Sequence, residues 1–79
     1  MPVTLVFLGK LADRAGAERE VPAPLDWDGL LSALDPVLAE TIGRTSVKLA
    51  LNGSLLADKQ ALVAGDGDEV AFLPPVSGG

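Results

Sequence analysis

The sequence contains neither cysteine nor histidine. Without cysteine there is no disulfide framework, thiolate metal site or cysteine nucleophile, and an unstapled domain of this kind suits a reducing compartment, so a cytoplasmic location is expected. Without histidine the usual general base and the commonest transition-metal ligand are gone as well. Aromatic residues are 4% of the chain, so the core has to be built mainly from Leu, Val and Ala. Positive charge is scarce: six basic residues face eleven acidic ones, a net charge of −5. An acidic domain with no cluster of Lys or Arg repels phosphate backbones, so nucleic acid is not the expected ligand and a basic protein partner fits better. The same charge also serves simply to keep a small apolar domain in solution. Long apolar runs are missing too. The start Met1-Pro2-Val3-Thr4-Leu5-Val6-Phe7-Leu8 has no basic leader and is too short to cross a bilayer, so it reads as a first strand, with neither export nor membrane association expected.

The remaining side-chain chemistry is thin. Asp66, Asp68 and Glu69 cluster, but without the full spacing of a calcium loop, and Gly67 between acids is what an ordinary turn uses; no metal site is expected. Gly9 and Gly16 are too far apart for a phosphate-cradling loop, which also needs Lys-Ser or Lys-Thr at the start of a helix. Lys10, Lys48 and Lys59 read as solvated surface charges. No cofactor is expected on this chain.

What is present is a packed globule in small format. Seventy-nine residues with a 48% apolar share make one domain that buries a little over ~60% of its unfolded surface. Val3 to Leu8 is apolar in both phases, as a central strand is. Gly9 to Ala17 reads as a turn region with Gly16 at positive φ, and Glu18 to Val21 as a short strand completing a hairpin. Pro22 and Pro24 interrupt the sheet. Asp26 then predicts an N-cap, Asp28 favours the helix dipole, and Leu25 and Leu30 stand at staple positions. Trp27, Leu30, Leu31 and Leu34 follow the spacing of a core-facing stripe, in a helix that Gly29 weakens. Asp35-Pro36 starts another turn of helix, with Leu38 and Ile42 on one face and Gly43 as its C-cap. Ser46 to Leu51 is a strand with Val47, Leu49 and Leu51 on one side, Asn52-Gly53 a type I′ hairpin turn, and Ser54 to Leu56 the returning strand. Asp58 to Gln60 is a polar connection, Ala61-Leu62-Val63 an apolar tuck, and Asp66-Gly67-Asp68 the turn into a last strand, Glu69 to Leu73. The order ββαββ, with one helix layer to cover one sheet, predicts an α+β fold: a mixed sheet with the first and last strands as parallel central neighbours, the β-grasp or ubiquitin-like arrangement. Residues 1–73 form that domain and 74–79 a flexible tail.

The tail is the most informative segment. Leu73 is followed by Pro74-Pro75-Val76-Ser77-Gly78-Gly79. A diglycine has no Cβ and enters channels closed to side chains, while the two prolines hold the approach extended. The six residues from Pro74 reach roughly 20 Å beyond the last strand, far enough for a buried catalytic centre in another protein. A frayed, functionless terminus has the same composition.

Leu51-Asn52-Gly53-Ser54-Leu55-Leu56 and Gly65-Asp66-Gly67-Asp68-Glu69-Val70-Ala71-Phe72-Leu73-Pro74-Pro75-Val76-Ser77-Gly78-Gly79 together closely resemble the small subunit of molybdopterin synthase. Chain length and element order fit the whole family domain. The N-terminal half is less distinctive: Leu8-Gly9-Lys10 stands where family members often carry an aromatic followed by Ala, and Trp27 replaces a more usual small or aliphatic residue. The resemblance implies a sulfur carrier. A separate ATP-dependent activating enzyme would adenylate the carboxylate of Gly79, and a sulfur donor system would convert it to a thiocarboxylate. The tail, Pro74, Pro75, Val76, Ser77 and Gly78, would insert it into the large subunit of a heterotetramer, where the sulfur goes to a pyranopterin precursor of the molybdenum cofactor. The chemistry is coherent: adenylation gives a poor electrophile a leaving group, and a thiocarboxylate is ionised and nucleophilic near neutral pH. Such a subunit has no side-chain active site of its own, because the catalytic residues sit in the partners.

If Val3, Leu5, Phe7, Val70 and Phe72 face the helix, then Val6, Leu8, Ala71 and Leu73 lie on the outer sheet face beside the tail, where an apolar patch suits a partner. Loops covering that face would give the same pattern. Three other readings share the fold: a sulfur carrier for thiazole or cysteine biosynthesis, a ubiquitin-like modifier that forms an isopeptide through Gly79, and a plain interaction domain with an inert tail. Pro74-Pro75-Val76-Ser77 argues against the first of these.

Overall fold

The computed structural model describes residues 1–74. Five strands form the main sheet: β1 (Val3–Phe7), β2 (Glu18–Val21), β4 (Lys48–Leu51), β5 (Ser54–Leu55) and β7 (Glu69–Leu73), in the order β2-β1-β7-β4-β5. β1 and β7 are parallel and every other contact in this sheet is antiparallel. This is the α+β, β-grasp arrangement expected from the sequence.

The sheet's inner face is set by strict alternation. Val3, Leu5, Phe7, Leu49, Val70 and Phe72 are each at most 1% exposed, and register places Leu5 beside Val70 and Phe7 beside Phe72. The two phenyl rings stack with centroids 4.7 Å apart at 12°, so the paired central strands share one aromatic contact. Two helices cover this face. α2 (Trp27–Ala33) starts at Asp26, whose carboxylate accepts from the Gly29 N–H at 2.7 Å. Gly29, an apparent weakness in the helix, has a local use: a Cβ there would lie 3.0 Å from that Asp26 oxygen. α3 (Pro36–Ile42) starts at Asp35, which accepts from the Leu38 N–H at 2.9 Å, with Pro36 opening the first turn. Leu25, Leu30, Leu34, Leu38 and Ile42 all reach the core.

The structure departs from the expected outline in three places. Residues 10–15 are a helix, α1 (Lys10–Ala15), within the expected turn; Leu11 is buried in the core and anchors it. The segment β3 (Leu25–Asp26) also pairs antiparallel with β6 (Val63–Ala64). This second ladder replaces the expected apolar tuck, of which Leu62 alone is buried while Ala61 and Val63 are exposed. Finally, Lys59 is not a solvated charge. It begins a short 3₁₀ turn (Lys59–Ala61), and its ammonium donates to the carbonyls of Ile42 at 2.8 Å, Val47 at 2.9 Å and Arg44. A cation thus satisfies carbonyls at and just past the C-terminus of α3, where the helix dipole favours one. Burial and then neighbouring Lys48 lower its pKa from the usual lysine value. The same ammonium lies 5.8 Å from the Trp27 ring centroid, giving that partly buried aromatic a cation–π contact beyond simple packing.

Candidate functional site

β7 is the middle strand of the sheet, held on one side by β1 and on the other by β4. Its last residue, Leu73, pairs with Lys48. The parallel ladder continues past the end of β1, where the Leu8 N–H donates to the Phe72 carbonyl at 3.2 Å. The tail therefore follows a strand that is braced on both sides. Pro74 follows directly and lies over Gly9, whose absent Cβ would be 3.1 Å from the Pro74 Cγ. The expected site residues Pro75, Val76, Ser77, Gly78 and Gly79 lie outside the described residues.

The outer face carries the phase expected for it. Val6 pairs with Ala71 and Ala71 with Ala50; Val6, Ala71 and Leu73 are partly buried and Leu8 is 41% exposed. Helices α2 and α3 lie on the opposite side with the core residues. Register adds two residues that sequence reading passed over, Ala50 and its pair partner Leu55, the latter 67% exposed. Alternation from Val47, Leu49 and Leu51 through the Asn52-Gly53 turn was the available signal. The row Val6–Ala71–Ala50–Leu55 is thus apolar and crosses four strands. It is flanked by charge: Glu18 pairs with Val6, and Glu20 and Glu69 both pair with Thr4. A partner covering this face meets an apolar band with these acidic residues on one flank and Lys48 beside Leu73.

Opposite the tail exit, at the start of β7, Asp68 ties two loops together. Its carboxylate accepts from the Gly65 N–H at 2.8 Å and from the Asn52 side-chain amide at 3.1 Å, while the Asn52 side-chain oxygen accepts from the Glu69 N–H at 2.9 Å. The Gly65 bond, followed by the Asn52 bond, holds the Asp68 pKa below the usual aspartate value. Within the acidic cluster at 66–69 this arrangement gives the Asp68 carboxylate the role of a turn brace. Among the described residues no group of three or more Asp or Glu side chains is placed to hold a metal ion, and no helix is long and apolar enough to cross a membrane.

Comparison with known proteins points the same way as the geometry. The model of the ThiS family matches residues 5–79. No curated protein matches the chain in sequence. Among solved structures, the chain is similar to the small archaeal modifier protein 1 of Methanosarcina acetivorans, with a TM-score of 0.79 and 28% identity over 99% of this chain and 96% of that one. It is similar to the modifier protein of the same name from Haloferax volcanii, with a TM-score of 0.74 and 27% identity over the whole of both chains. It also resembles a chain in the complex of subunits 1 and 2 of the molybdopterin-converting factor of Helicobacter pylori 26695, with a TM-score of 0.69 and 26% identity over all of both.

Proposed function

The chain belongs to the ThiS family of small ubiquitin-like sulfur carriers, and from that premise we propose that it is the sulfur-donor subunit of a molybdopterin synthase. The Gly79 carboxylate oxygen attacks the α-phosphorus of ATP in a separate activating enzyme, releasing pyrophosphate. A sulfide-level donor then attacks the acyl carbon and displaces AMP, leaving a thiocarboxylate. The large subunit receives the tail, the thiocarboxylate sulfur attacks a carbon of a pyranopterin precursor and displaces an oxygen leaving group there, and water then cleaves the acyl thioester, returning the Gly79 carboxylate and leaving the sulfur on the pterin. ATP is the activating enzyme's substrate, and this chain holds no cofactor. The observation that carries the reading is the Pro74-Pro75-Val76-Ser77-Gly78-Gly79 sequence issuing from the central strand. A rigid base with a side-chain-free tip suits delivery of a backbone carboxyl into a partner's channel. The similarity to a chain seen with a second subunit supports a partner of that kind.

Intact mass of the protein from its own cells tests this directly. An oxygen-to-sulfur increment confined to the C-terminal peptide is expected. Deleting Gly79, or adding a residue after it, is expected to abolish sulfur transfer with an unchanged melting temperature. Full transfer by an extended protein shown not to be trimmed would overturn the reading.

The likeness to the archaeal modifier proteins favours a second reading, in which the activated Gly79 carboxyl is transferred to a lysine of another protein. Peptide mass analysis separates the two: because Lys59 is the last basic residue, conjugation leaves the whole tryptic peptide 60–79 joined to a target lysine in place of the sulfur increment.

A further inference from the structure

Two glycines bracket α1, and both have backbone angles that only glycine adopts comfortably: Gly9 at φ 56°, ψ −132° and Gly16 at φ 85°, ψ 161°. They differ in their surroundings. A Cβ at Gly16 would meet nothing within 4 Å, whereas one at Gly9 would press on the Pro74 ring at 3.1 Å. Pro74 is the first residue beyond β7, and Gly9 comes one residue after Leu8, which bonds β7 through the Phe72 carbonyl. The chain at the end of β1 therefore forms a bare floor on which the first proline of the tail rests.

We propose that Gly9 is a positioning residue for the tail: its missing side chain lets Pro74 seat against the end of β1, and this seat fixes the direction of the chain where it leaves β7 at Pro74. The proposal rests on the sulfur-carrier reading for its consequence, since aim matters only if the tip must reach a partner's centre. Proline fixes φ, so the place of the Pro74 ring sets where the chain beyond it starts. The five residues past it span up to roughly 17 Å, and a misplacement of about 1 Å at a reacting group is enough to cost about a hundredfold in rate.

The matched pair Gly9→Ala and Gly16→Ala isolates the contact, because both introduce a Cβ at a glycine-only backbone and only the first touches Pro74. Adenylation by the activating enzyme is measured with each. The expected result is a kcat for Gly9→Ala about tenfold below that of Gly16→Ala with KM within about twofold, because the outer face that docks is untouched. In the double variant Gly9→Ala/Pro74→Ala, kcat should return to that of Pro74→Ala alone, because the ring that clashes is gone. Equal kcat for the two glycine variants, or a double variant showing the simple product of both defects, overturns the proposal. A wild-type chain that is never adenylated overturns the sulfur-carrier reading and with it the catalytic consequence. If Gly9→Ala does not fold, the wild-type protein still decides: NMR cross-relaxation between the Gly9 α-protons and the Pro74 ring protons is required, and its absence overturns the seat.

Discussion

Asp68 shows how much a single partly buried side chain can organise here. Its carboxylate joins the Gly65–Gly67 turn to the Asn52-Gly53 turn, two loops that must both be in place for β7 to start in register. Because the folded state holds its pKa below the usual value, the unfolded chain binds the proton more readily. The contribution to stability is therefore complete above the unfolded aspartate pKa and is lost as pH falls through the folded one. Asp68→Asn is expected to be less stable than the wild type at neutral pH, with the two melting temperatures converging toward acid. Parallel melting curves for the two proteins across the acid range would contradict this. At the same scale, the sequence announced some residues and hid others. Asp26 and Asp35 act as read because the amides they cap lie three residues on, and Asn52 and Gly67 because the positive φ their turns require is a local property. Lys59 was misread because its three carbonyl partners are 12 to 17 residues away, and nothing local marks a lysine that caps a distant helix.

Among the elements, β7 divides its residues between the core and the outer face, the face on which docking is proposed. Phe72 faces the core and stacks on Phe7; Leu73, one residue on, lies on the outer face beside Lys48. Phe72→Ala is expected to cost roughly 3–5 kcal/mol of folding stability, as a fully buried aromatic truncated in a small core does. Leu73→Asp is expected to cost far less in the isolated domain but several kcal/mol of affinity for the partner that takes the tail, because the new charge is desolvated in the contact. Melting curves and large-subunit binding for both variants check this, and an unfolded Leu73→Asp beside an unaffected Phe72→Ala would mean that the strand's faces do not divide the work in this way. Strand phases of this kind were legible because alternation has a period of two residues. The helix α1 was not: Gly9 and Gly16 dominate a local reading of that stretch, and the six residues between them are helical because Leu11 finds a place in the core.

For the molecule as a whole, stability should be graded from the centre of the sheet outward. β1, β7 and β4 are neighbours in the middle, whereas β5 is a two-residue edge and β3–β6 a two-residue ladder apart from the main sheet. In hydrogen exchange the amides of Thr4, Phe7 and Leu8, which bond Asp68, Ala17 and Phe72, are expected to exchange only with global unfolding. Those of β5 and of the β3–β6 ladder should exchange by local opening at higher rates. Uniform protection across all strands would contradict this ordering, and so would faster exchange in β1 than in β5. On that ordering, the base of the tail stays held while the edges of the sheet open.

The sequence by itself determined the α+β class, the parallel pairing of first and last strands, the two capped helices, the hairpin turn and the tail, because each is written in spacings of a few residues or in residues with restricted backbones. Tertiary structure alone decided the helix at 10–15, the β3–β6 ladder, the Lys59 cap on α3 and the seat of Pro74 on Gly9. In each of these the energetic partner is far along the chain, 65 residues away for Gly9 and Pro74, and neither residue signals the contact until the sheet brings the ends of β1 and β7 side by side.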